Sequence, residues 1–336
     1  MGGYALRRTL LVVPVVWGAV SLLFLAFFVL PGDPVEVIAG GGAGRAVNAE
    51  TRAAVEEKYG LDRPWYEQYG RFWNRLAHGD LGDSFRQSRT VNEVLGATAP
   101  ASIRLAIWAV IVEVLIGVAA GVISAVRRYS FLDSLTTVST TMVVAVPVFV
   151  LGYVFQYMLG VYTFQHDFPT WARFPVQGIG PDSWALFFVP TGGQWRYLIL
   201  PAVTLASVST ALVSRMTRAT MLEVLRADYM RTAAAKGLSR RAIVLKHGLR
   251  NALIPVVTLV GLDLGALIGS AVLTETVFNW PGMGTAIQRA IVSFDAPIVL
   301  GLTLVLVVAY VVINLLVDLS YALLDPRVRY ERAPAR

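Results

Sequence analysis

The sequence contains no cysteine, which excludes disulfides and thiolate metal sites. Its three histidines, His78, His166 and His247, stand far apart and form no His-Glu-x-x-His pattern, which argues against a zinc enzyme. No Gly-Lys pair occurs, so no phosphate-binding loop for ATP is present. Serines and histidines form no recognisable nucleophile motif. Charge is scarce as well. Of 336 residues, 15% are charged, against about 25% in soluble domains. Apolar residues make up 56%. Such a chain is built for a membrane. Its net charge of +7 would suit nucleic acid, but the basic residues are distributed as a topology signal, so no nucleic-acid partner is expected.

Six apolar runs follow one another. Thr9 to Leu30 has 22 residues without a charge, and a spanning helix needs about 20. A signal peptide would have a shorter apolar core with small residues after it, so this run reads as an uncleaved first helix. Leu105 to Val126 is the second span, with Glu113 near its centre. Leu135 to Gly160 is the third, where Pro147 permits a kink. The fourth begins at Leu198 to Ser214 and continues past Arg215 and Arg218. Ala252 to Thr274 is the fifth and carries Asp263. Its Gly261, Gly265 and Gly269 recur every four residues and leave one face nearly bare for a neighbour. Ala296 to Val317 starts the sixth. The expected class is an all-α integral membrane protein with six transmembrane helices.

Between the first two spans, residues 31–99 hold ten acids and eight bases. They read as a polar external domain. Gly40 to Gly44 reads as a flexible turn and Asn48 to Tyr59 as a capped helix. Trp65, Tyr66, Tyr69, Phe72 and Trp73 would form a small core or a contact with the membrane surface. Residues 161–197, with Trp171, Trp184 and Trp195, suit an interfacial loop. Charge sets the orientation. Nine basic residues lie between Arg215 and Arg250, and Arg127-Arg128 follow the second span. The positive-inside rule then places both termini in the cytoplasm. The expected partition is 1–30 for the tail and first helix, 31–99 for the external domain, 100–324 for the membrane core and 325–336 for a cytoplasmic tail.

The most informative stretch is 226–250, between the fourth and fifth spans. It is basic, helix-forming and broken by glycine. Met230, Ala233 and Ala234 give a small apolar tip, and Gly237 suits a left-handed helix end. Ser239 caps a second short helix containing Ile243, Val244 and Leu245, which Gly248 is expected to close. A solvated basic loop at lipid head groups would explain the charges of Arg231, Lys236, Arg240 and Arg241. It gives no reason for alanines between two glycine-bent helices.

Tyr229 to Gly237 (Tyr-Met-Arg-Thr-Ala-Ala-Ala-Lys-Gly), followed by Leu249-Arg-Asn-Ala-Leu-Ile-Pro255, resembles the coupling-loop signature of permease subunits in binding-protein-dependent ABC importers, the dipeptide/oligopeptide branch above all. Thr232-Ala233-Ala234 stands near that family's Glu-Ala-Ala, and Gly237 matches its glycine. Pro255 lies further from the glycine than in sugar importers. Glu275-Thr-Val-Phe-Asn-Trp-Pro-Gly-Met-Gly284 resembles the signature just before the last helix, where the family has a short external gate or re-entrant element. Gly60 to Trp65, Gly79 to Ser84 and Asp325-Pro326-Arg327 resemble further family patterns.

The resemblance implies a type I ABC importer permease fold in the cytoplasmic (inner) membrane of a bacterium, and a non-catalytic chain that moves di- or oligopeptides. Tyr229, Arg231, Thr232, Ala233, Ala234, Lys236 and Gly237 would couple it to ATPases. Asp263, Glu113, Glu275, Trp280, Pro281 and Gly282 would belong to the path or gate. The implied partners are a second homologous permease subunit, two nucleotide-binding domains, an external substrate-binding protein, the lipid bilayer and the peptide. The chain itself would hold no cofactor, because ATP and Mg²⁺ would sit on partner subunits. Close relatives in that family carry nickel or glutathione. From another class, Glu113 and Asp263 could serve a stand-alone proton-coupled transporter, although no internal repeat supports one. A charged group at the bilayer centre costs about 2.5–3.5 kcal/mol, so both acids should face protein or a water-filled cavity. The alternative for each is a structural hydrogen bond to a neighbouring helix, or a carboxyl kept neutral by burial. Asp318 reads as structural, paired with an arginine.

Overall fold

A computed structural model describes residues 2–30, 33–38, 47–84, 86–181 and 184–324. The turn at Gly40 to Gly44 and the pattern at Asp325-Pro326-Arg327 lie outside the described residues. In chain order the helices are α1 (Gly2–Phe24), α2 (Pro34–Ile38), α3 (Ala49–Tyr59), α4 (Trp65–Ala77), α5 (Val91–Val126), α6 (Phe131–Ala145), α7 (Val148–Phe155), α8 (Tyr162–Gln165), α9 (Trp195–Val224), α10 (Asp228–Ala235), α11 (Arg240–Ala242), α12 (Leu249–Phe278), α13 (Met283–Val292) and α14 (Ala296–Leu324). A two-stranded antiparallel ribbon, β1 (Trp184–Ala185) with β2 (Val189–Pro190), sits before α9. Six helical stretches are long and apolar enough to cross a membrane: Leu6–Val29, Val91–Val126, Val148–Gln165, Trp195–Val224, Arg240–Phe278 and Ala296–Ser320. This is the all-α, six-span architecture that the apolar runs predict.

The chain divides into two compact units, Met1–Ser102 with Pro281–Arg336, and Ile103–Trp280. The division runs through α5 and does not follow the order of the sequence. In the first unit, α1 packs along α14, and Arg8 pairs with Asp318 at 2.8 Å, which is the arginine that the sequence leaves unnamed. The polar segment closes on this pair through α3 and α4. Asn48 caps α3 by accepting the Thr51 N–H at 2.7 Å, and Gly60 ends it. In α4, Tyr69, Phe72, Trp73 and Leu76 recur at helical spacing and meet Val20, Phe24, Phe28, Val55 and Tyr59 in one apolar cluster. The Tyr69 hydroxyl bonds that of Ser21 at 2.6 Å. The aromatic group expected as one set is therefore divided, because Trp65 and Tyr66 point outward at 62% and 60% exposure. Asp33 accepts from Arg52 at 2.6 Å, and this bond holds its carboxyl below the usual range.

In the second unit, the third crossing departs from expectation. Pro147 does more than bend it. Val146 (ψ 131°) and Pro147 (ψ 137°) are both extended, so α6 stops and α7 begins anew. Proline disfavours the helical conformation in the residue before it, and here that preference decides the geometry. The interfacial loop also has more structure than expected. The β1–β2 ribbon is fastened to α5 where Arg104 Nε donates to the Phe187 carbonyl (2.7 Å) and the Trp108 indole donates to the Phe188 carbonyl (2.8 Å). Trp195 lies within α9.

The helices α5 and α9 approach each other very closely. A Cβ on Gly117 would stand 2.8 Å from Val213 Cγ1 and 3.0 Å from the Thr210 carbonyl. One on Gly121 would stand 2.6 Å from the Ser214 carbonyl and from Thr217 Cβ. Partners rise with the glycines, so α5 and α9 run parallel. Two glycines four apart let the backbones approach this closely.

Candidate functional site

The stretch between α9 and α12 is built from short capped pieces. Asp228 stands in the first turn of α10, where a negative charge suits the helix dipole. At its other end, Gly237 takes φ +77°. The Gly237 N–H reaches the Ala234 carbonyl at 3.0 Å and the Leu238 N–H reaches the Ala233 carbonyl at 3.4 Å. This pairing is a Schellman closure, which requires a left-handed residue at that position. Ser239 then accepts the Ala242 N–H at 3.3 Å.

The helix has two distinct faces. Met230 (3% exposed) and Ala233 (8%) turn inward. Tyr229, Arg231, Thr232, Ala234 and Lys236 face out. The apolar tip expected from the sequence is thus split, with Ala233 serving the chain's own packing and Ala234 open to an outside surface. The Tyr229 hydroxyl accepts from Asn251 Nδ2 at 3.0 Å and ties α10 to α12.

Gly248 does not close a helix, contrary to the sequence reading. From α11 the chain runs through one π-helical segment, Ile243–Gly248, directly into α12. Gly248 is helical (φ −74°). A Cβ there would meet Met230 Cε at 3.3 Å and Met221 Cε at 3.5 Å. Glycine is placed here for close packing, so it carries no stop signal. Below it, Ala125, Met221 and Ala252 form a cluster joining the ends of α5, α9 and α12. Met230, at rest on Gly248, links α10 to that cluster.

Sequence reasoning missed the clasp beside this cluster. Arg218 on α9 donates from Nε to Asp133 Oδ1 at 2.8 Å and from a terminal nitrogen to Oδ2 at 2.9 Å. The Ser124 hydroxyl of α5 donates to Asp133 Oδ1, and the Tyr129 N–H donates to Oδ2 at 2.9 Å. Asp133 is 5% exposed. The only signal was an acid on the side with the basic excess. Its partner lies 85 residues away.

Within the membrane, Glu113 on α5 is fully buried and Asp263 on α12 partly buried. The two carboxyls are neighbours. Neither Glu113 oxygen makes a hydrogen bond of normal geometry to another group. The sequence marks each acid as unusual but cannot show that they meet. At the end of α12, Glu275 is 1% exposed and Trp280 fully buried. Asn279 (φ +46°) caps the helix, and the Trp280 N–H donates to the Glu275 carbonyl at 2.8 Å. Gln156 donates to the carbonyls of Val176 (2.7 Å) and Val277 (2.9 Å), and the Gly178 N–H donates to Phe278 O at 2.9 Å. Glu275 and Trp280 belong to the second unit. Pro281 and Gly282 open the returning part of the first, where Gly282 leads into α13. Among the described residues, no group of three His, Cys, Asp or Glu could hold a metal ion.

The model of the family described as binding-protein-dependent transport system inner membrane component matches residues 117–330. Among curated proteins, the dipeptide transport system permease protein DppB of Alkalihalophilus pseudofirmus is 40% identical over 98% of this chain and 100% of its own length. Glutathione transport system permease protein GsiC of Escherichia coli K12 is 36% identical over 98% of this chain and all of its own. The DppB protein of Escherichia coli K12 is 35% identical over 98% and 99%.

Proposed function

The chain belongs to the family of binding-protein-dependent transport system inner membrane components, and on that premise we propose that it is the membrane path of an ABC importer for di- or oligopeptides. The carrying observation is the 40% identity to a dipeptide permease over 98% of the chain. In this reading the chain performs no catalysis. ATP and Mg²⁺ bind separate subunits, and a second homologous permease completes the path. An external binding protein delivers the peptide, and both termini lie in the cytoplasm.

The outer face of α10, with Tyr229, Arg231, Thr232, Ala234 and Lys236, fits a cleft on one of two nucleotide-binding domains. Gly237 fixes the angle at which that face is presented. Ala233 works from the other side, by seating α10 on its own chain through Met230 and Gly248. A push on α10 would pass to the ends of α5, α9 and α12 through that contact. The clasp of Arg218 with Asp133 extends it to α6. Asp263, partly buried beside buried Glu113, is suited to draw the ammonium end of a peptide. Glu275, Trp280, Pro281 and Gly282 would form the gate.

Extraction of the tagged chain from its native membrane in mild detergent tests this assembly. Recovery of a second multi-span chain and a Walker-motif ATPase is the expected outcome. Recovery of this chain alone, still transporting in ATP-free proteoliposomes, would replace it with proton coupling through Glu113 and Asp263. The match to a glutathione permease favours one further substrate within the same reading. Competition between a labelled dipeptide and glutathione in whole-cell uptake separates the two.

A further inference from the structure

A groove of about 660 Å³ opens between the end of α5 and the entry to α12, within the second unit. One wall is the last turn of α5, with Ile123 and Val126; the other is the π-helical entry to α12, with Leu245. Three arginines rim it: Arg127, Arg240 and Arg241. They come from two separate elements and converge on one space. No acidic residue lines it. All three arginines are exposed, and none makes an ion pair among the described residues.

The surroundings locate this groove at a membrane boundary. Arg127 follows the end of one apolar span, and Arg240 begins the helical stretch that leads into another. Next to Arg127, Tyr129 and Phe131 stand out at 80% and 79% exposure, as aromatics do at a lipid–water interface. The guanidinium of Arg128 lies 4.3 Å from the centre of the Tyr129 ring. Leu245 is 57% exposed and Ile123 45%. An acidic protein surface would satisfy the arginines but leave these apolar walls against polar groups. A ligand with a negative head and an apolar tail satisfies both.

We propose that this groove is a binding site for an anionic phospholipid, its phosphate held by Arg127, Arg240 and Arg241 and one acyl chain lying along Ile123, Val126 and Leu245. Basic pockets between membrane helices take such head groups by the same physics. Guanidinium also matches phosphate geometry in a way that ammonium does not. The assignment gives Arg240 and Arg241, which lie outside the coupling face of α10, a role of their own. It holds whatever the chain transports.

The test is lipid retention, which does not depend on transport. The assembly is placed in nanodiscs of phosphatidylethanolamine containing a minor fraction of phosphatidylglycerol, re-extracted, and its bound lipid measured by native mass spectrometry. Each Arg→Gln change should weaken phosphatidylglycerol retention about five-fold, and the triple change on the order of a hundred-fold. Phosphatidylethanolamine should not substitute. Should the triple variant fail to insert, the single R127Q change still reads the effect. A photo-crosslinker at Leu245 supplies a second readout with the arginines intact, and a phosphatidylglycerol adduct is expected. Unchanged retention in R127Q, or a crosslink to a second permease or to an ATPase, would overturn the assignment.

Discussion

Small residues line two helices of this chain, and their neighbours differ. On α5, Gly117 and Gly121 press against the α9 backbone, with no room for a Cβ. On α12, Gly261, Gly265 and Gly269 show the same spacing, yet Gly269 has nothing within 4 Å. The same contrast recurs in one turn of α10, where Ala233 is buried and its neighbour Ala234 exposed. A small residue states only that something can come close. Where the chain fills the space itself, the residue maintains the fold. Where the space stays open, the residue is available to another subunit.

The comparison sharpens by substitution. The largest effect is expected for Gly121→Leu. Its new side chain would meet the backbone of α9, which cannot move aside, so destabilisation should reach or exceed the roughly 3 kcal/mol of severe overpacking. Thermal unfolding in detergent, or protein level in the membrane, reads it. Loss of the buried charge clasp comes next. Arg218→Met leaves Asp133 buried without its partner, at about 3 kcal/mol, tempered because Arg218 is itself 30% exposed. Ala233→Leu should follow at about 1–2 kcal/mol, with α10 becoming sensitive to limited proteolysis. Ala234→Leu should change stability by less than about 0.5 kcal/mol and still lower peptide uptake per ATP hydrolysed. Equal melting losses in the two alanine variants would break the comparison. Gly269→Leu should leave the isolated chain's melting point unmoved and lower only the recovery of the second subunit.

A further small effect concerns a charged contact away from both sets. Asp33 has its folded pKa lowered by Arg52. Its contribution is therefore complete above the unfolded carboxylate value, near 4, and is lost as pH falls through the lower folded value. The pair is exposed, so Asp33→Asn should shift only the acid limb of a pH–melting profile, and slightly.

Local chemistry was legible in the sequence. Asn48 and Ser239 cap where their side chains predict, and Gly237 ends α10 because a left-handed residue is needed there. Five of the six apolar runs translate directly into continuous helices, and the third is divided at Pro147. Facing was not legible. Which of Ala233 and Ala234 turns inward depends on where Gly248 lies, and which glycine pair is filled depends on the register of α5 against α9. Gly248 itself illustrates the ambiguity, because an isolated glycine near a helix end suits either a stop or a close contact. The meetings of Glu113 with Asp263 and of Arg218 with Asp133 join residues far apart in sequence. Nothing in their local pattern names the partner.

The parallel packing of α5 and α9 also constrains how often the chain crosses the bilayer between them. Two helices that point the same way can be joined only by an odd number of crossings. The connecting stretch holds α6, of 15 residues, and then Val148–Gln165, of 18. At about 1.5 Å per residue, α6 reaches only some 22 Å, short of the roughly 30 Å hydrocarbon layer. Parity therefore forbids counting α6 and Val148–Gln165 as two separate passages. The break at Pro147 interrupts a single traverse, and the chain must emerge on the far side before Trp195 begins the way back.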